Sequence, residues 1–442
     1  MPVPLVQLIS TLFLHGATLP LLAAEWPFFR SQLMFITLLL VSSIVGSASP
    51  LDSTAIASPA AQRVAVARKQ VEASPKAFQF YNELAFALCR EARDKSDIAL
   101  YDEANLALDQ ALSLSSGNYE ALKLRAAVLL GKREFQEALK LSQNLNKKVP
   151  DDIGGWALLT DANSALGNYA EAERDAQWIL DLRPGSSLGF EKAAALRELF
   201  GDNEGAVEFY EEALRRTSQS DADQRAWLLT QKARVMLAAG NPKAAGEILV
   251  EVFRLFPNSQ QASLVLADVK AASGDYKDAA AIFEKCYQAV PTCGVLYRWA
   301  NALRQAGQNE KAALQFAAFE TKARAEIAKT YNANLELIAY YCDHKSDPAE
   351  ALRIATLESS RRKDAATLAA FAWALYQNGK FNEAKAQMDR ALAVGVRDPN
   401  YLCHAALISA KVNPSVQGAP GSCVSQTSWS AQNVAAPLGV SK

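Results

Sequence analysis

One spacing limits what this chain can become. A small residue in equivalent surroundings returns at Ala104, Ala138, Ala172, Ala206, Ala245, Ala279, Ala312, Ala351 and Ala384, at gaps of 34, 34, 34, 39, 34, 33, 39 and 33 residues. An acidic residue precedes it at Glu103, Glu137, Glu171, Asp278, Glu350 and Glu383. An aromatic stands three before it at Tyr101, Phe135, Tyr169, Tyr276 and Phe381. Gly stands five before it at Gly167, Gly201, Gly240, Gly274, Gly307 and Gly379, and Pro twelve after it at Pro150, Pro184, Pro257 and Pro291. The two wide gaps place short insertions near Ser218–Asp223 and Ala323–Thr330. A period of this length marks an array of one repeated supersecondary unit.

The stretch Trp156–Pro184, WALLTDANSALGNYAEAERDAQWILDLRP, shows what the unit is. Apolar residues recur at three and four, the pattern of two amphipathic helices. Gly tolerates positive φ and so permits the reversal between them. The anchor Ala lets the second helix approach the first, and Pro ends the second helix. One such hairpin cannot bury its own apolar face, so neighbours must stack. Composition agrees, because the chain is 50% hydrophobic and rich in Ala, which favours helix.

These anchors resemble the tetratricopeptide repeat, a helix–turn–helix unit. The resemblance covers about Ala61 to Lys411, and the copies at Ile153–Gly185, Gln260–Pro291 and Ala365–Arg397 carry it best. Ala77–Ser115 has a longer turn, EARDKSDIAL, and Thr330–Ser360 has Ser346-Asp347-Pro348 where Gly is expected. The resemblance implies an all-α, right-handed solenoid of tandem helix–turn–helix repeats with a concave face. About nine repeats and a cap helix, Pro399–Lys411, are expected over residues 61–411.

The ends differ in composition. Between Met1 and Ser49 only Glu25 and Arg30 are charged, and Ser31–Leu51 carries no charge. Gly46-Ser47-Ala48 suits signal peptidase, so residues 1–48 read as a signal peptide with an apolar N-terminal extension. The alternative is an uncleaved anchor over residues 31–51, since about 20 apolar residues can span a bilayer. Either way the solenoid is expected outside the cytoplasm, in the periplasm or tethered to a membrane, as in exported bacterial proteins. Residues 49–60 read as a linker and 412–442, which hold Trp429, as a disordered tail.

No catalytic signature is present: no G-x-S-x-G, P-loop, G-x-G-x-x-G or H-E-x-x-H. No cofactor or metal is implied, because Cys342-Asp343-His344 and Cys403-His404 each lack a second ligand pair. With 46 basic and 47 acidic residues interspersed, no basic stripe invites nucleic acid. Six cysteines occur, at Cys89, Cys286, Cys293, Cys342, Cys403 and Cys423. Cys286 and Cys293 are the one locally close pair, read either as a disulfide or as two buried thiols.

The expected function is a non-enzymatic scaffold that holds a protein or peptide partner. In the family it resembles, first helices line the concave face. Counted from the anchors, that face includes Trp227, Thr230, Arg234, Leu264, Asp268, Tyr297, Asn301, Arg304, Glu336, Tyr340, Asp343, Trp373 and Tyr376. Trp227, Arg234, Tyr297, Asn301, Arg304, Tyr340, Trp373 and Tyr376 are the candidate partner-binding residues, since aromatic and Arg side chains dominate binding hot spots. Packing between helices is the competing reading of the same rings. A membrane-tethered structural role and sugar stacking on Tyr340, Trp373 and Tyr376 are the alternatives. The Lys and Asn clamp that some family members use for a C-terminal carboxylate is missing, with Lys123 and Ala127, then Ala157 and Asp161, at the corresponding places.

Overall fold

The structure, a computed structural model, describes residues 58–413. These form twenty α-helices, with no strand among the described residues. Helix α1 (Pro59–Ala73) leads. Nine hairpins follow: α2 (Phe78–Lys95) with α3 (Ala99–Leu114), α4 (Tyr119–Gly131) with α5 (Phe135–Lys148), and α6 (Ile153–Leu166) with α7 (Tyr169–Leu182). Then come α8 (Ser187–Leu199) with α9 (Asn203–Arg216), α10 (Ala222–Ala238) with α11 (Pro242–Leu255), and α12 (Gln260–Ala272) with α13 (Tyr276–Ala289). The last are α14 (Cys293–Gln305) with α15 (Asn309–Arg324), α16 (Asn334–Asp343) with α17 (Pro348–Arg361), and α18 (Ala365–Gln377) with α19 (Phe381–Leu392). Helix α20 (Pro399–Val412) covers the end.

Each anchor alanine is buried in a second helix. It is the fourth residue of α5, α7, α9, α11, α13, α15, α17 and α19, and in all nine hairpins it is at most 2% exposed. A larger side chain there would push the paired helices apart, which explains the small residue. The reversal before it uses positive φ throughout. Gly supplies it in six hairpins, and Ser96 (φ 56°), Arg133 (φ 60°) and Ser346 (φ 54°) supply it in the other three. Those three accept a backbone cost of about 1–3 kcal/mol each. First helices start on capping side chains: Asn118, Asp152, Ser186, Asp221, Ser259, Thr292 and Asp364 each accept a backbone N–H of the first turn. Ser58 does the same for α1, with Pro59 as its first residue, so helix begins inside the stretch expected to be linker.

Contacts between distant hairpins add a second level. Lys363 N donates to Leu166 O at 3.3 Å and Ala365 N to the Tyr169 hydroxyl at 2.7 Å. Arg133 Nη1 donates to Asn332 O at 3.1 Å, and Thr330 Oγ1 to Lys132 O at 3.1 Å. Val396 packs with Leu196, Leu199 and Phe200. So the turns of the second, third and fourth hairpins meet the connections that precede the eighth hairpin, the ninth and α20. Successive turns of the superhelix touch about every six hairpins. Gly167 and Gly201 serve here twice: a Cβ at Gly167 would lie 2.5 Å from Lys363 O, and one at Gly201 would overlap Gly395 O.

Both insertions in the repeat make such contacts. The first contributes Asp221 and Asp223, which pair with Arg90 of α2. The second leads into Thr330–Asn332, where the Tyr331 ring also lies under Arg133, 4.8 Å from its guanidinium carbon.

Candidate partner-binding surface

The concave face is lined by first helices, and it divides into two parts. Over the fourth to sixth hairpins it is covered by α2. Trp227 of α10 is 6% exposed and lies beneath the Arg93 guanidinium, 4.4 Å from the ring centroid. Arg93 also donates to Gln224 Oε1 at 3.3 and 3.4 Å. Thr230 is buried and donates to Ala226 O at 2.7 Å. Arg234 is half-buried and donates to Glu198 Oε1 at 3.0 Å. Leu264 is buried, and Asp268 pairs with Arg298.

The last three hairpins hold an aromatic ladder. Tyr297 and Asn301 are sealed in the core, Tyr297 against Phe319 at 5.0 Å and Asn301 bonded back to Tyr297 O at 3.0 Å. Tyr340 stacks on Phe316 at 5.6 Å, and its hydroxyl donates to Glu320 Oε2 at 3.3 Å. Trp373 stacks on His404 at 3.7 Å and on Tyr376 at 4.9 Å, and its Nε1 donates to Asp343 Oδ1 at 2.8 Å. Arg304 Nη1 donates to His344 Nδ1 at 3.1 Å. Both histidines are held neutral: burial, then the Arg304 charge, pushes His344 down to about 4, and burial pushes His404 down to about 4.

Of the eight candidate residues, Trp227, Tyr297, Asn301, Tyr340 and Trp373 are thus buried. Arg304 and Tyr376 are partly exposed, Arg304 against His344 and Tyr376 against the Trp373 ring. Rigid rings with a polar border can offer stacking area and directional hydrogen bonds to an extended segment at low entropic cost.

Sequence reasoning missed the charged cluster under α2. Lys192 Nζ lies 2.8 and 2.7 Å from the two Asp161 carboxylate oxygens, with Lys192 fully buried. Burial lifts the Asp161 carboxyl to about 6 against the pull of Lys192. Burial likewise lifts Asp94 to about 7, opposed by Arg93. Gln224 Nε2 donates to Glu191 Oε2 at 2.8 Å. The available signal was the charged run Arg90-Glu91-Ala92-Arg93-Asp94 on a first helix whose other interior positions are mainly Ala and Leu.

Of the two readings of Cys286 and Cys293, the structure has the buried thiols and not the disulfide: Cys286 belongs to the core around α13, and Cys293 at the start of α14 donates from Sγ to Glu326 Oε2 at 3.2 Å. Cys403 is disulfide-bonded instead. The leader, Ser31–Leu51, Cys423, Trp429 and the remainder of the tail lie outside the described residues. Among the described residues, no group of three or more His, Cys, Asp or Glu is placed to hold a metal. None of the described helices is long and apolar enough to cross a membrane.

An all-helical array with a lined concave face defines a helical-repeat interaction scaffold. Tetratricopeptide repeat family models match residues 161–221 and 236–285, so the chain carries tetratricopeptide repeats. A Vibrio cholerae protein described as a candidate beta-barrel assembly-enhancing protease is 48% identical over 46 residues, 10% of each chain. This chain therefore spans about a tenth of that relative. Solved structures similar to it include the APC/C hetero-tetramer Cut9–Hcn1 (TM-score 0.47, 14% identity, 76% of this chain and 56% of that one). Others are the human IFIT1 dimer with PPP-AAAA (0.44, 14%, 76% and 94%) and PilW, a type IV pilus biogenesis factor (0.40, 15%, 46% and 93%).

Proposed function

We propose that this protein is a non-enzymatic scaffold of the cell envelope that captures an extended segment of a partner protein on the concave face of its last three hairpins. The observation that carries this reading is the Trp373 stack. Its ring is clamped by Tyr376, His404 and the Asp343 hydrogen bond, so the partly exposed Tyr376 edge is presented in one geometry, while Arg304, also partly exposed, is held by His344. The N-terminal part of the face is occupied by α2, whereas Arg304 and Tyr376 keep partial exposure on the C-terminal part. Envelope location rests on the uncharged Ser31–Leu51 and the small residues at Gly46-Ser47-Ala48. The same uncharged stretch supports a second reading, a membrane-tethered scaffold, and mass spectrometry of the mature N-terminus separates the two.

The test is capture of partners by the full chain after crosslinking in cells. Tyr376→Ala and Arg304→Glu should each reduce recovery about tenfold while melting stays near wild type, as expected for hot-spot residues. Unchanged recovery from both variants would sink the assignment to this face. Recovery of glycan rather than protein, lost with Tyr376→Ala, would favour sugar stacking instead.

A further inference from the structure

The contact between α2 and the fourth to sixth hairpins differs in kind from the contacts between neighbours. Neighbouring hairpins share Ala and Leu faces. Here the buried apolar cluster that runs from Val64 to Val128 draws on α1 to α4 and takes no residue from α8, α10 or α12. The joining groups are charged. Arg90 Nε lies 2.6 Å from Asp223 Oδ2, and Arg90 Nη2 lies 2.8 Å from Asp221 Oδ1. Arg93, one turn on, sits over Trp227 and on Gln224, while Gln261 Nε2 donates to Arg93 O at 3.1 Å. Arg63 of α1 adds 3.3 Å and 3.2 Å contacts to Asp221 and Asp223.

The fit is also incomplete. Glu191 Oε1 and Trp227 Nε1, on side chains over nine-tenths buried, and Asp94 Oδ2 find no hydrogen-bond partner among the described residues. Buried polar groups left this way weigh against the closed contact. An occupant held by charge, with unsatisfied groups beneath it, can be displaced by one that satisfies them.

We propose that the face built from Glu191, Asp221, Asp223, Gln224, Trp227 and Gln261 is a second binding surface, for a partner helix bearing two arginines three residues apart, and that α2 occupies it in the free protein. The stated chemistry comes from the occupant itself: the Arg90 and Arg93 pair complements two carboxylates at the α10 N-terminus and a Trp face. Binding would exchange one arginine helix for another and free the opening hairpin. This surface is distinct from the Tyr376 region and does not depend on it.

The test uses the full chain and one probe, a labelled synthetic peptide of residues 78–95 with Ser in place of Cys89. R90E/R93E removes the resident arginines. It should bind the peptide about tenfold or more tightly than wild type, because self-occupancy lowers the competent fraction. Adding D221K should abolish that gain. Amide exchange over residues 222–230 should quicken in R90E/R93E. Should that variant lose its helical signal, R90Q/R93Q supplies the same comparison. Equal binding to wild type and to the folded variant, or no binding to either, overturns the proposal.

Discussion

The Tyr169 hydroxyl accepts the amide of Ala365 across 196 residues, at 2.7 Å. Tyr169 holds the position three before an anchor alanine, where repeat logic asks only for a ring. Its phenol joins two superhelical turns, beside the backbone bond from Lys363 to Leu166. Tyr169→Phe keeps the ring and orphans the amide. The expected loss is about 1–3 kcal/mol, the cost of an unsatisfied buried donor. Urea unfolding measures it, and amide exchange should quicken at residues 363–367. A variant as stable as wild type would show that the turns do not support one another.

Gly201 and Gly240 separate two costs of losing a turn glycine. Both have positive φ, 76° and 78°. A Cβ at Gly240 meets open space, while one at Gly201 overlaps Gly395 O. Gly240→Ala should cost about 1 kcal/mol for the backbone alone. Gly201→Ala should cost at least about 2 kcal/mol more, as forced overlap does in packed regions. Thermal unfolding of the two variants side by side decides it, and equal losses would remove the stacking of turns from the account.

The Lys192–Asp161 pair should show strong coupling. Lys192→Met leaves a buried carboxylate without its cation, and about 3–5 kcal/mol is expected for breaking such a pair from one side. Lys192→Met with Asp161→Leu should recover most of that loss, since apolar replacements of similar volume are often tolerated. Additive losses in the double-mutant cycle would contradict the pairing.

The two histidines set a pH dependence. Each is held at about 4 in the folded chain, below the ordinary 6.5. Between those values the unfolded chain takes up a proton that the folded chain does not. Their contribution is therefore complete above about pH 6.5 and is lost as pH falls through 4, with a slope of at most about 1.4 kcal/mol per pH unit for each. Raised carboxyls at Asp94 and Asp161 act in the opposite sense. His404→Gln should therefore flatten the decline in stability from pH 7 to pH 5, measured by urea unfolding at each pH. An unchanged decline would place His404 outside the stack.

The periodic part of this architecture was legible in the sequence. The anchor alanines, the turn glycines and the aromatics before them mark nine hairpins because every unit solves the same packing problem. Even the copies without Gly obey the rule, with Arg133 and Ser346 in the glycine's place and conformation. The superhelical pitch was not legible. It sums small rotations over many hairpins, and it decides that Trp227 faces Arg93 rather than solvent. Its one trace was the pair of 39-residue gaps, whose insertions supply Asp221, Asp223 and Thr330–Asn332 to contacts between distant hairpins. The cysteines illustrate the same limit: Cys286 and Cys293 are near in sequence, but helix geometry sends Cys293 toward Glu326.

The central claim is that partners are held on the concave face of the last hairpins. It is tested most directly by placing a photo-crosslinking amino acid at Tyr376 and, in a second variant, at Val250, which is 70% exposed on the second helix α11. The expected result is a discrete crosslinked protein band from position 376 in cells and none from position 250. A band from Val250 with none from Tyr376 would contradict the account.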